Sequence, residues 1–219
     1  MKGLIDMLQG VATTEKALSV NFLNKCSQLN FRVMHMLINY LFIFLMIATA
    51  EKKMNLDNAN TNLSIYGTSS LHDWEITAEK CTGTAEVVFN DDNTYTINQL
   101  TFRAAVDALE SGKSAMNSNT VKALEGDDHP YITYELTDII PLRTTANAKI
   151  FAANGRLTIA GNTRTVKMEV VVTKEQSTLL ISGEITLKMT DYKVDPPTAM
   201  FGTITTGNEI TIKFNAKYI

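Results

Sequence analysis

The chain has 219 residues, 45% of them hydrophobic and 20% charged, with a formal net charge of -3. This is ordinary globular composition for one domain with accessory segments, and it is not basic enough to make nucleic acid the default partner. Two cysteines and three histidines exclude a disulfide framework and a four-thiolate zinc site, and they restrict any histidine-rich metal centre.

The first segment is a targeting segment. Lys25 and Arg32 precede an apolar run from Met36 to Ile47, interrupted only by Asn39 and ending in Ala48-Thr49-Ala50. A basic region, a short apolar core and small residues at -3 and -1 make a secretory signal peptide, with cleavage after Ala50 and Glu51 as the new terminus. The run of about 12 residues is shorter than the roughly 20 a spanning helix needs. An uncleaved anchor and a buried helix are the alternatives. Residues 1 to about 30 precede the signal, with scattered apolar positions (Leu4, Ile5, Leu8, Val11, Leu18) and no assignable role; a true start at Met34 or nearby would account for them. The expected division is an extension plus signal over 1–50 and one domain over 51–219, periplasmic or otherwise exported and without a stable membrane span. Residues 1–50 hold four basic residues and two acidic ones, which leaves sixteen against twenty-one in the domain, net -5. The domain keeps one cysteine, Cys81, either a free buried thiol or a link between chains, so a homodimer stays open. No cysteine directly follows the signal, so no lipoprotein anchor is indicated.

From Leu63 onward apolar residues recur with a period of two, the pattern of antiparallel strands with one face in a core. Ala85, Val87 and Phe89 share a face, as do Ile132, Tyr134 and Leu136. Tyr95 and Ile97 are odd, whereas Leu100, Phe102, Ala104 and Val106 are even. A β-bulge at Asn98-Gln99 would keep both sets facing one interior. Ser111–Glu125 breaks the pattern: Ser118 as N-cap, Val121 and Leu124 at helical spacing and Gly126 as terminator predict a short helix in a long connection. Asn154-Gly155, Gly161-Asn162 and Gly207-Asn208 read as turns. Val166, Met168, Val170 and Val172 form a further face, followed by one from Leu179 to Met189 and one from Ile210 to Tyr218. About eight strands over roughly 160 residues predict a sandwich or barrel.

Several separated stretches then carry a resemblance. They are Gly67-Thr68-Ser69-Ser70-Leu71-His72-Asp73-Trp74; Met116 with Lys122-Ala123-Leu124 and His129-Pro130-Tyr131-Ile132; Gly155-Arg156-Leu157-Thr158-Ile159-Ala160-Gly161-Asn162-Thr163-Arg164; and Met189-Thr190-Asp191-Tyr192 with Pro196-Pro197-Thr198-Ala199-Met200-Phe201-Gly202. In order and spacing they resemble the YceI-like family of bacterial lipid/polyisoprenoid-binding proteins, from about Leu63 to Ile219. His72-Asp73-Trp74 is similar to the short Bacteroidetes-type form.

The resemblance implies an all-β fold, a lipocalin-like closed antiparallel barrel of about eight strands around an apolar cavity for an isoprenoid or fatty chain. Its walls would include Trp74, Phe102, Met116, Leu124, Tyr134, Leu157, Ile159, Met189 and Phe201, with His72 near the rim for a head group. Met200-Phe201, after the rigid Asp195-Pro196-Pro197, would form a lid or pack into the core. The alternative is a filled core acting as an envelope interaction module, since the same aliphatic faces could pack solid. No catalytic residues are assigned: His72-Asp73 lacks a nucleophile, because adjacent strand residues point to opposite faces. No metal or cofactor is expected; Asp127-Asp128-His129-Pro130 reads as a turn and Asp91-Asp92-Asn93 as a hairpin loop.

Overall fold

The computed structural model describes Met36 and residues 51–90, 94–145, 148–199 and 201–219. The signal and the preceding extension therefore lie outside the described residues, apart from Met36. So do the Asp91-Asp92-Asn93 loop and Met200. Met1–Thr49 and Ala50–Ile219 separate as two units, and only the second is considered below.

Among the described residues twelve strands make up one antiparallel system. In chain order they are β1 (Glu51–Asn55), β2 (Asn62–Ser69), β3 (Trp74–Ala78), β4 (Cys81–Phe89), β5 (Tyr95–Ala105), β6 (Leu109–Glu110), β7 (Tyr131–Thr144), β8 (Lys149–Ile159), β9 (Asn162–Glu175), β10 (Thr178–Lys188), β11 (Thr198–Ala199) and β12 (Ile204–Tyr218). One helix, α1 (Ser114–Ala123), lies between β6 and β7. Eleven strands follow one hydrogen-bonded path, β1-β4-β5-β7-β8-β9-β10-β12-β2-β3-β6, and β11 pairs with β12 outside it.

The expected closed barrel of eight strands is therefore corrected to an open, curled sheet. Its edges are β1, five residues long, and β6, only two. After β6 the chain turns at Gly112 (φ 75°) and enters α1, so a helix rather than a strand follows that edge. Closure is local: at one end Asn55 and Ile219 exchange both backbone hydrogen bonds at 2.9 Å.

The bulge falls at the expected place. Val87 pairs with Ile97 and Glu86 with Gln99, which leaves Asn98 as the extra residue. Tyr95 and Ile97 before it and Ala104 after it are all buried. Of the three expected turns, the second is real but one residue early: Ile159 pairs with Asn162, and Ala160 (φ 45°) and Gly161 (φ 69°) make the loop. Asn154-Gly155 is no turn but mid-β8, paired with Asp138 and Leu136. A Cβ at Gly155 would meet Tyr134 ring atoms at 2.3 Å, so the glycine makes room for a ring rather than for a bend. Gly207-Asn208 sits inside β12, where the register with β2 shifts between Thr206 and Ile210.

The helix starts one turn before Ser118. Lys113 is its N-cap without a side-chain cap, and the Ser118 hydroxyl instead donates to the Ser114 carbonyl at 3.0 Å. Glu125, in the left-handed region (φ 53°), follows its last turn, and the Gly126 N–H returns to the Val121 carbonyl at 2.9 Å.

The interior is packed unevenly. One buried cluster joins Met54, Val87, Tyr95, Phe151, Val172 and Tyr218, with Leu179. A second joins Ile65, Ile76, Cys81, Ala104 and Leu109. The third holds Leu157, Ile159, Leu187, Tyr192 and Val194. Space is left between these clusters.

Candidate functional site

That space forms two chambers. The outer one has a volume of about 340 Å³ and is walled by Trp74 and Ile76 of β3, Ile159 of β8, Leu187 of β10 and Ile210 of β12, among others. The inner one is about 120 Å³ and lies among Phe102, Tyr134, Leu157, Met168 and Phe214. Ile65, Leu109, Ile132 and Ile212 line both. The outer volume falls in the range of small-molecule sites, roughly 300–1,000 Å³.

Local sequence builds these walls. Alternation on β12 sends Ile210, Ile212 and Phe214 inward. On α1, Ala115, Met116, Asn119, Thr120 and Ala123 recur at helical spacing and face the outer chamber; no residue of α1 is buried, because this face borders the chamber rather than a packed core. Trp74 is fixed twice. Its indole N–H donates to the Thr68 carbonyl at 3.0 Å, and its ring lies over Gly67, where a Cβ would meet ring carbon at 2.1 Å.

Polarity changes along the space. The exposed side chains His72, Lys113, Asn119 and Thr198 lie on the outer chamber, with Ser69 and Thr206 beside them. The side chains of the inner chamber are apolar except for two hydroxyls. Tyr218 donates to the Thr101 carbonyl at 3.0 Å. The buried hydroxyl of Tyr134 has no hydrogen-bond partner. Burial pushes the Tyr134 phenol up to about 12 and raises Tyr218 further in the same direction.

The residues expected at a cavity divide accordingly. Trp74, Met116, Leu124, Ile159 and Met189 line the outer chamber, and so does His72. Phe102, Tyr134 and Leu157 line the inner one. Phe201 lines neither. It is fully exposed, at φ 56° and followed by Gly202 at φ 86°, so it is neither a core residue nor a lid as placed here. The left-handed pair turns the β11–β12 loop and holds the ring outward. Lys113, Leu109 and Ile204 also line the space and were not expected there, whereas Leu187 lies on the face read from Leu179 to Met189; β6 is too short to show a period, but the alternation of β12 could have supplied Ile204.

His72 makes no catalytic pair with the Asp73 side chain. Its Nδ1 bonds the Asp73 backbone carbonyl at 2.9 Å, and the Ser69 hydroxyl donates to the His72 carbonyl at 2.7 Å, so both side chains brace the β2–β3 turn. His129 packs over Gly161, with its Nε2 3.7 Å from a Glu125 carboxylate oxygen. Among the described residues no three His, Cys, Asp or Glu side chains gather as metal ligands. No described helix is long and apolar enough to cross a membrane. Cys81 is a buried free thiol, pushed up to about 11 by burial and by the nearby Glu79.

Known proteins share this architecture. BcnA of Burkholderia cenocepacia superimposes with a TM-score of 0.60 at 18% identity, over 74% of this chain and 98% of that one. A polyisoprenoid-binding domain from Saccharophagus degradans, implicated in plant cell wall breakdown, does so with a TM-score of 0.61 at 11% identity, over 77% of this chain and 98% of that one. At these identities the likeness is one of fold. No curated protein matches the sequence. The family model of the YceI-like domain matches residues 54–218, which takes in every described strand apart from the first three residues of β1. The chain belongs to the YceI-like domain family.

Proposed function

We propose that this protein binds one long-chain amphiphile, a lipid or polyisoprenoid, and carries or sequesters it outside the cytoplasm without chemical change. One observation carries the reading: two apolar chambers that share four aliphatic wall residues. A chain running through both must pass Ile65, Leu109, Ile132 and Ile212. Each methylene removed from water contributes about 0.8 kcal/mol, so about ten of them contribute about 8 kcal/mol before ordering costs. The polar side chains sit at the outer end, where a head group would remain, with the His72 imidazole and the Lys113 ammonium among them. Membership in a binding-protein family and the polyisoprenoid-binding neighbour support the same class of cargo.

A filled-core interaction module is the competing reading, and the hollow interior speaks against it. The export step rests on Met36 to Ala50 of the sequence alone. Denaturing extraction of purified protein followed by mass spectrometry tests the binding. The expected result is one long-chain species in near-stoichiometric amount. A protein that yields no such species, and that takes up no added chain, contradicts the reading. N-terminal sequencing of the exported form should begin at Glu51.

A further inference from the structure

We propose that the rim of the outer chamber docks on a lipid bilayer through Leu71 and Phe201. These are the two most exposed large hydrophobic side chains among the described residues, at 67% and 111% of full exposure. They stand on different loops, Leu71 in the β2–β3 turn and Phe201 in the β11–β12 loop. The two loops are joined: the Ser70 N–H donates to the Thr205 carbonyl at 2.9 Å, the Thr205 N–H donates to the Ser70 hydroxyl at 3.2 Å, and Thr206 pairs with Ser69.

The chamber lies beside both loops. Ser69 at the end of β2 and His72 in the following turn line it on one side, and Thr198 of β11 with Ile204 and Thr206 of β12 on the other. Apolar surface held in water is unfavourable, and both side chains are held there by their turns. Leu71 is in a turn tied by its N–H and that of His72 to the Ser69 hydroxyl, at 3.3 and 3.2 Å. Phe201 is at positive φ, uncommon for a bulky residue.

The occupant follows from the cavity beside them. On the lipid-binding reading, on which this inference rests, the cargo resides in a bilayer before it is bound. Two apolar side chains pressed into the interface beside that polar rim would let the chain pass into the chamber without crossing water. The domain carries net charge -5, and Lys113 is the one lysine or arginine among the described residues lining the chamber, so no basic cluster stands there to draw on anionic lipid. Contact is therefore apolar, and it is insensitive to salt.

The test uses the full chain and vesicles of phosphatidylcholine brominated in the acyl chains. Phe201→Trp places an emitter on the rim. Leu142→Trp places one at an exposed site near the far end of β7, about 30 Å of strand from Ile132. Emission is taken as the excess over the parent, whose only tryptophan is Trp74. The expected result is a blue shift and strong quenching at 201, little at 142, and no change with added salt. The contrast between the two sites separates rim docking from attachment through residues 1–50. Equal quenching at both sites, or none at 201, overturns the proposal; docking on a protein or on a second copy would give the latter. In a second arm, Leu71→Ser with Phe201→Ser should slow uptake of a fluorescent long-chain alcohol from vesicles about tenfold, with uptake from dilute ethanol unchanged. Unslowed uptake from vesicles counts against docking. If the parent takes up no alcohol from either source, the lipid-binding reading fails, and the 201-versus-142 contrast still decides whether the rim meets a bilayer.

Discussion

Replacing Ile212 by Trp should shorten the chain that the protein can hold. Ile212 lines both chambers, between Ile65 of β2 and Ile185 of β10 in the sheet. A larger ring there takes up space where the two chambers adjoin, beside Ile65, Leu109 and Ile132. A methylene is comparable in size to a water molecule, whose share of liquid volume is about 30 Å³. On that scale the 340 Å³ chamber takes about eleven methylenes and the 120 Å³ chamber about four. At about 0.8 kcal/mol each, the inner four contribute about 3 kcal/mol, or about two powers of ten in Kd. The assay is displacement of a fluorescent probe by primary alcohols of increasing length. In the parent, affinity should rise with each added carbon to about fifteen. In Ile212→Trp it should stop rising near eleven, with shorter alcohols bound as before. Overpacking by the ring should cost about 1–3 kcal/mol of stability, so near-ultraviolet circular dichroism must show a native fold. Uniform weakening at all lengths, or none at any, would refute the two-chamber reasoning.

Other outcomes follow from the same interior. Gly155→Ala places a methyl against the Tyr134 ring and should cost about 1–3 kcal/mol in urea unfolding, with the cost relieved in a Tyr134→Leu background. Tyr134→Phe removes a buried hydroxyl without a partner and should raise stability by about 1 kcal/mol, whereas a loss of that size would reveal a bound partner such as water. Alkaline pH should destabilise the fold. Cys81 is raised from 9.0 to about 11, and Tyr95 and Tyr134 from 10.0 to about 12, so the folded state keeps protons that the unfolded chain releases. That stability is fully present below about pH 9 and is lost as pH rises toward 11–12, so a urea midpoint unchanged between about pH 8 and pH 11 would contradict it.

Strand character was legible because alternation survives on most of the long strands, although β8 buries Ile150 to Ala153 in succession. The phase change between Ile97 and Leu100 even located the bulge at Asn98. Closure was not legible, since it depends on edges: β6 has two residues and no period, and α1 follows it where a barrel would need another strand. Glycine misled where its cause was tertiary. Asn154-Gly155 looks like a hairpin turn, but the glycine answers to the Tyr134 ring on the next strand. Ser118 reads as an N-cap because serine is a favoured cap residue, but its hydroxyl satisfies a carbonyl within the helix instead. Most expected cavity residues lie on walls because inward parity is a local property. Phe201 does not, since the direction of its side chain depends on two left-handed residues in one loop. Hollowness is not encoded by parity at all: the same aliphatic faces could meet or stand apart, and only the spacing of the strands decides which.

Crystals soaked with a long primary alcohol brominated at its tail provide the most direct test. Anomalous scattering should place the bromine in the inner chamber among Phe102, Tyr134 and Phe214, with the hydroxyl end toward His72. Bromine ordered only outside both chambers, or side chains closed over the space, would contradict the account.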